Sequence, residues 1–351
     1  MFFGSDNQAG ASSKILDKVL EANAGYTHGY GDDYWTKKAV DMLKDFFDCD
    51  LEAYFVSTGT AANSLALSSL VKPWESVLCH PFGHVVNDES TAPEFFTGGA
   101  RFIPLNNVEG KITGKDLESY LSVEGVDIPH NSMAKAVTIT QSSEIGLVYS
   151  PEEVNSISEC AKRHDLYFHM DGARFANAVV SSKASPAELT WKSGVDILSL
   201  GATKCGALCA EAVIFFNRNC AVDFVHRRKR SGHLVSKGRM FGSQFVGWLE
   251  NDHWFDLAEH ANNMALKLWK RLSKIDCVKI AWPVQANEVF VVLPEVKAAE
   301  LRKEGAEFYD WPISGIPAHI DFQEGETFIR LVSSFTSEDG HIEKFCEILN
   351  R

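Results

Sequence analysis

Lys204 and Asp171 are the residues whose type and setting most directly suggest chemistry. Lys204 closes the run Val195-Asp-Ile-Leu-Ser-Leu-Gly-Ala-Thr-Lys, which reads as a buried strand entering a short turn. Asp171 ends a second such run, Leu166-Tyr-Phe-His-Met-Asp, just before Gly172-Ala173-Arg174. A lysine past one strand and an acid at the end of another is the layout of a pyridoxal 5'-phosphate (PLP) site. There the lysine amine joins the cofactor aldehyde as a Schiff base. The acid keeps the pyridine nitrogen protonated, so that the ring accepts electrons. Partial desolvation disfavours the ammonium form of such a lysine and makes it a better nucleophile and base. A carboxylate beside Tyr167-Phe-His-Met is costly without a cationic partner. Asp171 is also placed to cap the helix that follows, and the two roles are compatible.

Two further segments fit the same chemistry. In Ser57-Thr-Gly-Thr-Ala-Ala-Asn, small residues form a turn between a strand and a helix. Such a turn leaves backbone N–H groups free, and the helix dipole favours an anion there, so Gly59 and Thr60 can cradle a phosphate. An ordinary strand–helix connection has the same composition, and the segment is neither GxGxxG nor a Walker loop. His84, in Gly83-His-Val-Val-Asn-Asp-Glu, offers a flat ring to stack on a pyridine and a group for proton transfer. It could equally be a turn histidine. His80 and His84 are four apart, but Pro81 between them argues against a helical metal pair, and no metal is expected.

The elements needed to position these residues are legible in outline. Apolar residues at 39, 40, 43, 46 and 47 predict an amphipathic helix over 35–47, after a short helix near 13–23. Short strands are predicted at 53–57, 76–79, 101–104 and 136–140, with a helix over 61–70. Ser150-Pro-Glu-Glu is a capping box with proline at the first helical position, starting a helix to about His164. The Asp171 and Lys204 strands follow, then Glu211-Ala-Val-Ile-Phe-Phe. Alternating strands and helices imply a largely parallel sheet with helices on both faces. Ligands in such sheets bind beyond the carboxyl ends of the strands, where Asp171, Lys204 and the Gly59 turn all fall. After Gly247 the texture changes. A long helix over 254–275, strands at 289–293 and 327–333 and a closing helix from Ser337 predict a smaller α+β domain. The expected division is a large PLP-binding α/β domain, 1–247, and a small domain, 248–351.

Composition excludes several alternatives. With 351 residues the chain is long enough for two domains. A net charge of −13 argues against nucleic acid or an anionic membrane as the main partner. No run of about 20 apolar residues is present to span a bilayer, and the first residues lack the basic start of a signal peptide. The eight cysteines form neither CxxC nor a zinc pattern, consistent with reduced thiols in a cytoplasmic protein. Cys205, beside Lys204, reads as a small packing residue.

Taken together, the motifs resemble the low-specificity L-threonine aldolases, fold-type I PLP enzymes of the β-eliminating-lyase-like group. The resemblance rests on Ser5-Asp-Asn, Tyr30-Gly-Asp-Asp, Thr58-Gly-Thr-Ala-Ala-Asn, His84 with Asp88-Glu89, His169-Met-Asp-Gly-Ala-Arg, Thr203-Lys204, Arg228-Lys229 and Arg330, collinear over nearly the whole chain. Ala92-Pro-Glu-Phe-Phe and Glu188-Leu-Thr-Trp-Lys are similar to the phenylserine aldolase branch. The resemblance implies Lys204 as the Schiff-base lysine, Asp171 as the pyridinium partner, Gly59 and Thr60 on the phosphate, and His84 stacked on the ring. It implies Ser5, Arg174 and Arg330 on the substrate carboxylate, since arginine meets a carboxylate with two hydrogen bonds. It further implies that Arg174 also borders the cofactor, that Lys229 reaches a neighbouring subunit's phosphate, and that Tyr30 contacts substrate near that interface, in a dimer of dimers. One departure is Gln141-Ser-Ser-Glu-Ile-Gly, with Glu144 where many members carry histidine. The base for the β-hydroxyl proton is thus His84, Glu144 or a water held by either. The implied reaction is retro-aldol cleavage of L-threonine and other β-hydroxy-α-amino acids to glycine and an aldehyde. Another PLP lyase, racemase or aminotransferase reaction is the nearest rival. A non-catalytic subunit and a nicotinamide dehydrogenase are more distant.

Overall fold

In the computed structural model, residues 1–105, 110–124 and 128–351 are described. Seven strands build the larger sheet: β1 Glu52–Val56, β2 Glu75–Cys79, β3 Arg101–Pro104, β4 Met133–Thr140, β5 Tyr167–Gly172, β6 Ile197–Gly201 and β7 Glu211–Phe215. Their order is β1-β7-β6-β5-β4-β2-β3. Only β7 runs against its neighbours, so β1 to β6 end on one edge and β7 begins there. The apolar runs explain this. β6 and β7 are buried at every position, as strands covered on both faces must be. The helix Gly59–Ser68 follows β1, and Pro151–Arg163 precedes β5. The latter begins with the expected capping box: Ser150 Oγ accepts from Glu153 N at 3.3 Å and Glu153 accepts from Ser150 N at 2.8 Å. Such a cap stabilises the helix by about 1 kcal/mol.

The smaller sheet has the order β10-β11-β9-β8, all antiparallel, from β8 Lys279–Ile280, β9 Glu288–Pro294, β10 Tyr309–Asp310 and β11 Glu326–Val332. Helices Glu295–Lys303 and Asp339–Leu349 pack with it. The helix His253–Leu272 serves both apolar cores: Trp254, Leu257 and Ala258 enter the first, while Met264, Ala265, Leu268 and Leu272 enter the second. Residue 247, the expected boundary, lies within the helix Arg239–Leu249, whose Trp248 belongs to the first core. Met1 and Phe3 lie in the second core. Phe3 N donates to Glu307 O at 2.9 Å, and Phe3 O accepts from Val332 N at 2.8 Å. This anchorage sets where the next residues, Ser5 and Asp6, arrive.

The turn after β6 is fixed from two sides. Gly201 lies so close to Ala173 that a Cβ there would meet the Ala173 carbonyl oxygen at 2.7 Å, and this brings the Lys204 turn against the Asp171 loop. Gly206 closes the turn at φ +96°, a left-handed conformation that glycine adopts without strain. From the Arg239–Leu249 helix, the buried Trp248 donates its indole N–H to Cys205 O at 3.1 Å. Gln244 Oε1 accepts from Leu208 N and Cys209 N at 2.9 and 3.0 Å.

Candidate active site

The carboxyl edge of the large sheet faces the small sheet across two adjoining cavities of about 380 and 670 Å³. Both are lined by Gly59, His84, Asp171 and Lys204. Thr60 lines the smaller, and Ser5, Glu144, Arg174 and Arg330 line the larger. Nine of the eleven site residues expected from sequence thus converge. Tyr30 and Lys229 lie outside both linings. Tyr30 is 56% exposed, and the Lys229 ammonium sits over its ring at 5.1 Å.

Lys204 is half-buried and has no hydrogen bond or ion pair among the described residues. Burial and the nearby Arg174 charge push its pKa down, offset in part by Asp6, Asp171 and Glu288. Asp171, 4% exposed, is held at both oxygens: Oδ1 accepts from Ala173 N at 3.0 Å and Oδ2 from Asn63 Nδ2 at 2.8 Å. The same Asn63 amide donates to Glu89 Oε1 at 2.8 Å. Glu89 Oε1 also meets His84 Nδ1 at 2.8 Å, and the other ring nitrogen of His84 has no hydrogen bond among the described residues. Burial works against a charged His84 ring, but the Glu89 hydrogen bond and the Asp171 and Glu89 charges outweigh it and raise its pKa. Burial likewise raises Glu89. A chain His84–Glu89–Asn63–Asp171 therefore runs along one wall.

The seat for an anion lies at the start of the Gly59–Ser68 helix. Thr58 Oγ1 accepts from Ala61 N at 3.1 Å, which leaves the Gly59 and Thr60 N–H groups at the open first turn. A Cβ at Gly59 would meet nothing within 4 Å, so the backbone there borders open space. An unpartnered lysine amine, a buried carboxylate fixed by two donors and an open helix start around one cavity fit the aldehyde, pyridine nitrogen and phosphate of PLP.

At the substrate end, the Arg174 fork is already engaged: Nε and Nη2 donate to Asp6 at 2.8 and 3.0 Å. Burial would raise Asp6, but the Arg174 and Lys204 charges and hydrogen bonds from Arg174 and Asn287 hold it below the usual carboxylate range. Arg330 is stacked on Trp311 at 4.5 Å, and its Nη1 lies 3.7 Å from Glu288 Oε1. Glu144 accepts from Thr140 Oγ1 and from His84 N, while its buried Oε2 has no hydrogen bond among the described residues. Burial pushes Glu144 up to about 7. Burial also pushes Glu211, at the start of β7, up to about 7; it accepts from Ala202 N at 2.9 Å and lines the smaller cavity.

Sequence reasoning did not single out Asp6, Asn63, Glu211 or Glu288. Asp6 and Asn63 stood inside quoted motifs, Ser5-Asp-Asn and Thr58-Gly-Thr-Ala-Ala-Asn. Glu211 and Glu288 are the acids that open two otherwise apolar strands, which is the signal they offered.

A family model described as beta-eliminating lyase matches residues 3–295. The chain belongs to the β-eliminating lyase family. Within that family it is 42% identical over 307 residues to a low specificity L-threonine aldolase of Pseudomonas aeruginosa, covering 88% of each chain. It is 27% identical over 250 residues to an alanine racemase of Cochliobolus carbonum, covering 67% of this chain and 59% of that one. Among solved structures, a threonine aldolase of Leishmania major superposes with a TM-score of 0.91 at 30% identity, covering 100% of this chain and 98% of that one. This family is a lyase family, and the fold-type I architecture expected from sequence is the one observed. No helix among the described residues is long and apolar enough to cross a membrane.

Proposed function

We propose that this lyase is a PLP-dependent aldolase that cleaves L-threonine, L-allo-threonine and other β-hydroxy-α-amino acids to glycine and an aldehyde. The observation that carries the reading is the unpartnered Lys204 amine, set in one cavity with Asp171 and the open start of the Gly59 helix. When bound, PLP supplies an electron sink in conjugation with the amino acid's α-carbon. Lys204 would hold the cofactor, and the burial that lowers its pKa disfavours the ammonium form and so favours the nucleophilic amine. Asp171, itself immobilised by Asn63 and Ala173, would pair with the ring nitrogen, Gly59 and Thr60 would hold the phosphate, and His84 would lie against the ring.

Arg330 meets the substrate α-carboxylate with its planar fork, stacked on Trp311, and Ser5 adds a hydroxyl. Arg174, whose fork Asp6 occupies, contributes charge and its remaining edge. Fixing the carboxylate fixes rotation about the α-carbon, and orientation decides which bond breaks. Glu144 takes the β-hydroxyl proton. Glu144 lines the larger cavity, its pKa raised to about 7 suits that task, and His84 N and Thr140 orient it. Phe82, Tyr309 and Trp311 line the larger cavity and support a place for aryl β-substituents, as in the phenylserine branch. Tyr30 and Lys229, exposed and away from their own chain's cavity, complete a neighbouring subunit's site in a dimer, and dimers pair into a tetramer.

The racemase relative favours alanine racemisation as a second reading on the same carboxylate and PLP residues. Assay of L-threonine, L-allo-threonine and phenylserine for aldehyde, serine for pyruvate, and L-alanine for its enantiomer separates the two. Aldehyde release from the first three substrates is expected. Racemisation without aldehyde release overturns the aldolase reading.

A further inference from the structure

Two arginines and two acids meet at the substrate end of the larger cavity, and the two acids stand in different relations to the arginines. Asp6 is a hydrogen-bonded anchor on the Arg174 fork. Glu288, at the start of β9, is 2% exposed. Its Oε1 lies 3.5 Å from Arg174 Nη1 and 3.7 Å from Arg330 Nη1, and neither of its oxygens accepts a hydrogen bond among the described residues. At that separation it acts on the guanidinium groups chiefly through charge. Neither arginine depends on it for position, because Asp6 grips Arg174 and Trp311 carries Arg330. Both arginines line the cavity, whereas Glu288 lies behind them.

We propose that Glu288 is a counter-charge that sets how tightly the Arg174–Arg330 pair holds the substrate α-carboxylate. Without it, the two buried guanidinium groups would keep Asp6, with Asp171 acting on Arg174 and Asp88 on Arg330, but would lose the one acid among the described residues that lies within 4 Å of both. With it, an arriving carboxylate meets guanidinium groups whose charge is already partly offset and binds less tightly. Substrate and glycine carry the same α-carboxylate, so Glu288 weakens both alike. That is uniform binding, which appears in KM and leaves kcat unchanged. The proposal rests on the aldolase reading only for the identity of the substrate.

The test uses the holoenzyme with Glu288→Gln, which removes the charge at constant size. The KM for L-threonine and the glycine inhibition constant are expected to fall together, by about three- to tenfold, with kcat unchanged. Unliganded Glu288→Gln should melt lower than wild type, and saturating glycine should raise its Tm more than it raises that of wild type. A purely structural role would lower the Tm but raise both constants, and that result overturns the proposal. Glu288→Asp keeps the charge one methylene further back, so its KM should be no higher than wild type. A raised KM there overturns the proposal even if the Gln variant fails to fold. If wild type releases no aldehyde, the aldolase reading fails by itself, while glycine-induced Tm shifts still decide the role of Glu288.

Discussion

Replacing Glu144 by glutamine tests the site electrostatics and the chemistry at once. Burial raises this carboxyl from 4.5 to about 7, a difference of about 2.5 units. At roughly 1.4 kcal/mol per unit, that is about 3 kcal/mol of coupling between folding and the Glu144 proton. The sign follows from which state keeps the proton. Below pH 4.5 both folded and unfolded chains hold it and the coupling costs nothing. As pH rises toward 7 the unfolded chain releases the proton while the folded one retains it, so wild type loses stability across that window. Glutamine cannot titrate, so Glu144→Gln escapes this loss. Whatever else glutamine changes in hydrogen bonding with Thr140 and His84 N is constant with pH and drops out of the slope. Glu211, raised to a similar value, is present in both proteins and cancels. Unfolding measured at pH 5 and pH 8 should therefore show Glu144→Gln gaining on wild type by about 2–3 kcal/mol between the two pH values. Its kcat should fall at least about 100-fold, as for loss of a general base, with glycine affinity unchanged. Wild-type kcat should rise through pH 7 as Glu144 ionises. Parallel stability profiles would refute the buried, raised carboxyl. A variant with wild-type kcat would assign the proton transfer to His84 or to water.

Three further variants probe the other parts of the site. Gly59→Val places bulk at the open start of the helix, where a Cβ meets nothing within 4 Å. It should weaken PLP binding about tenfold or more, while helix propensity changes by only a few tenths of a kcal/mol, in favour of valine; PLP titration and melting of the cofactor-free protein check this. Asn63→Asp puts a third carboxylate between Asp171 and Glu89 in place of the amide that bridges them at 2.8 Å, so PLP bound per chain should drop sharply on dialysis. Arg330→Lys exchanges a planar fork for a point charge and should raise KM for L-threonine about tenfold with a smaller effect on kcat, read by initial rates.

What the sequence disclosed follows from the range of the interactions involved. The strand bearing Asp171 and the strand that leads into the Lys204 turn are short apolar runs, and the Ser150 capping box is complete within four residues, so local pattern sufficed. Lys204 and Asp171 could be paired because adjacent parallel strands deliver their carboxyl ends to one edge. The Asp6–Arg174 fork spans 168 positions and exists because Met1 and Phe3 pack into the second core, which no local pattern encodes. Glu288 owes its place to β9 pairing with β11, whose register sets it opposite Val332 and near Arg330. The helix Arg239–Leu249 was not predicted, since its buried face runs nearly all round and shows little periodicity. It nonetheless fixes the turn bearing Lys204 through Trp248 and Gln244.

The central claim is that Lys204 is the lysine that holds PLP in an aldolase. Borohydride reduction of the purified PLP-loaded protein, followed by peptide mapping, measures it directly. The expected result is a pyridoxyl-phosphate group fixed to the Lys204 peptide and its disappearance when L-threonine is present before reduction. A label on another lysine, or none on a protein that still releases acetaldehyde from L-threonine, would contradict the account.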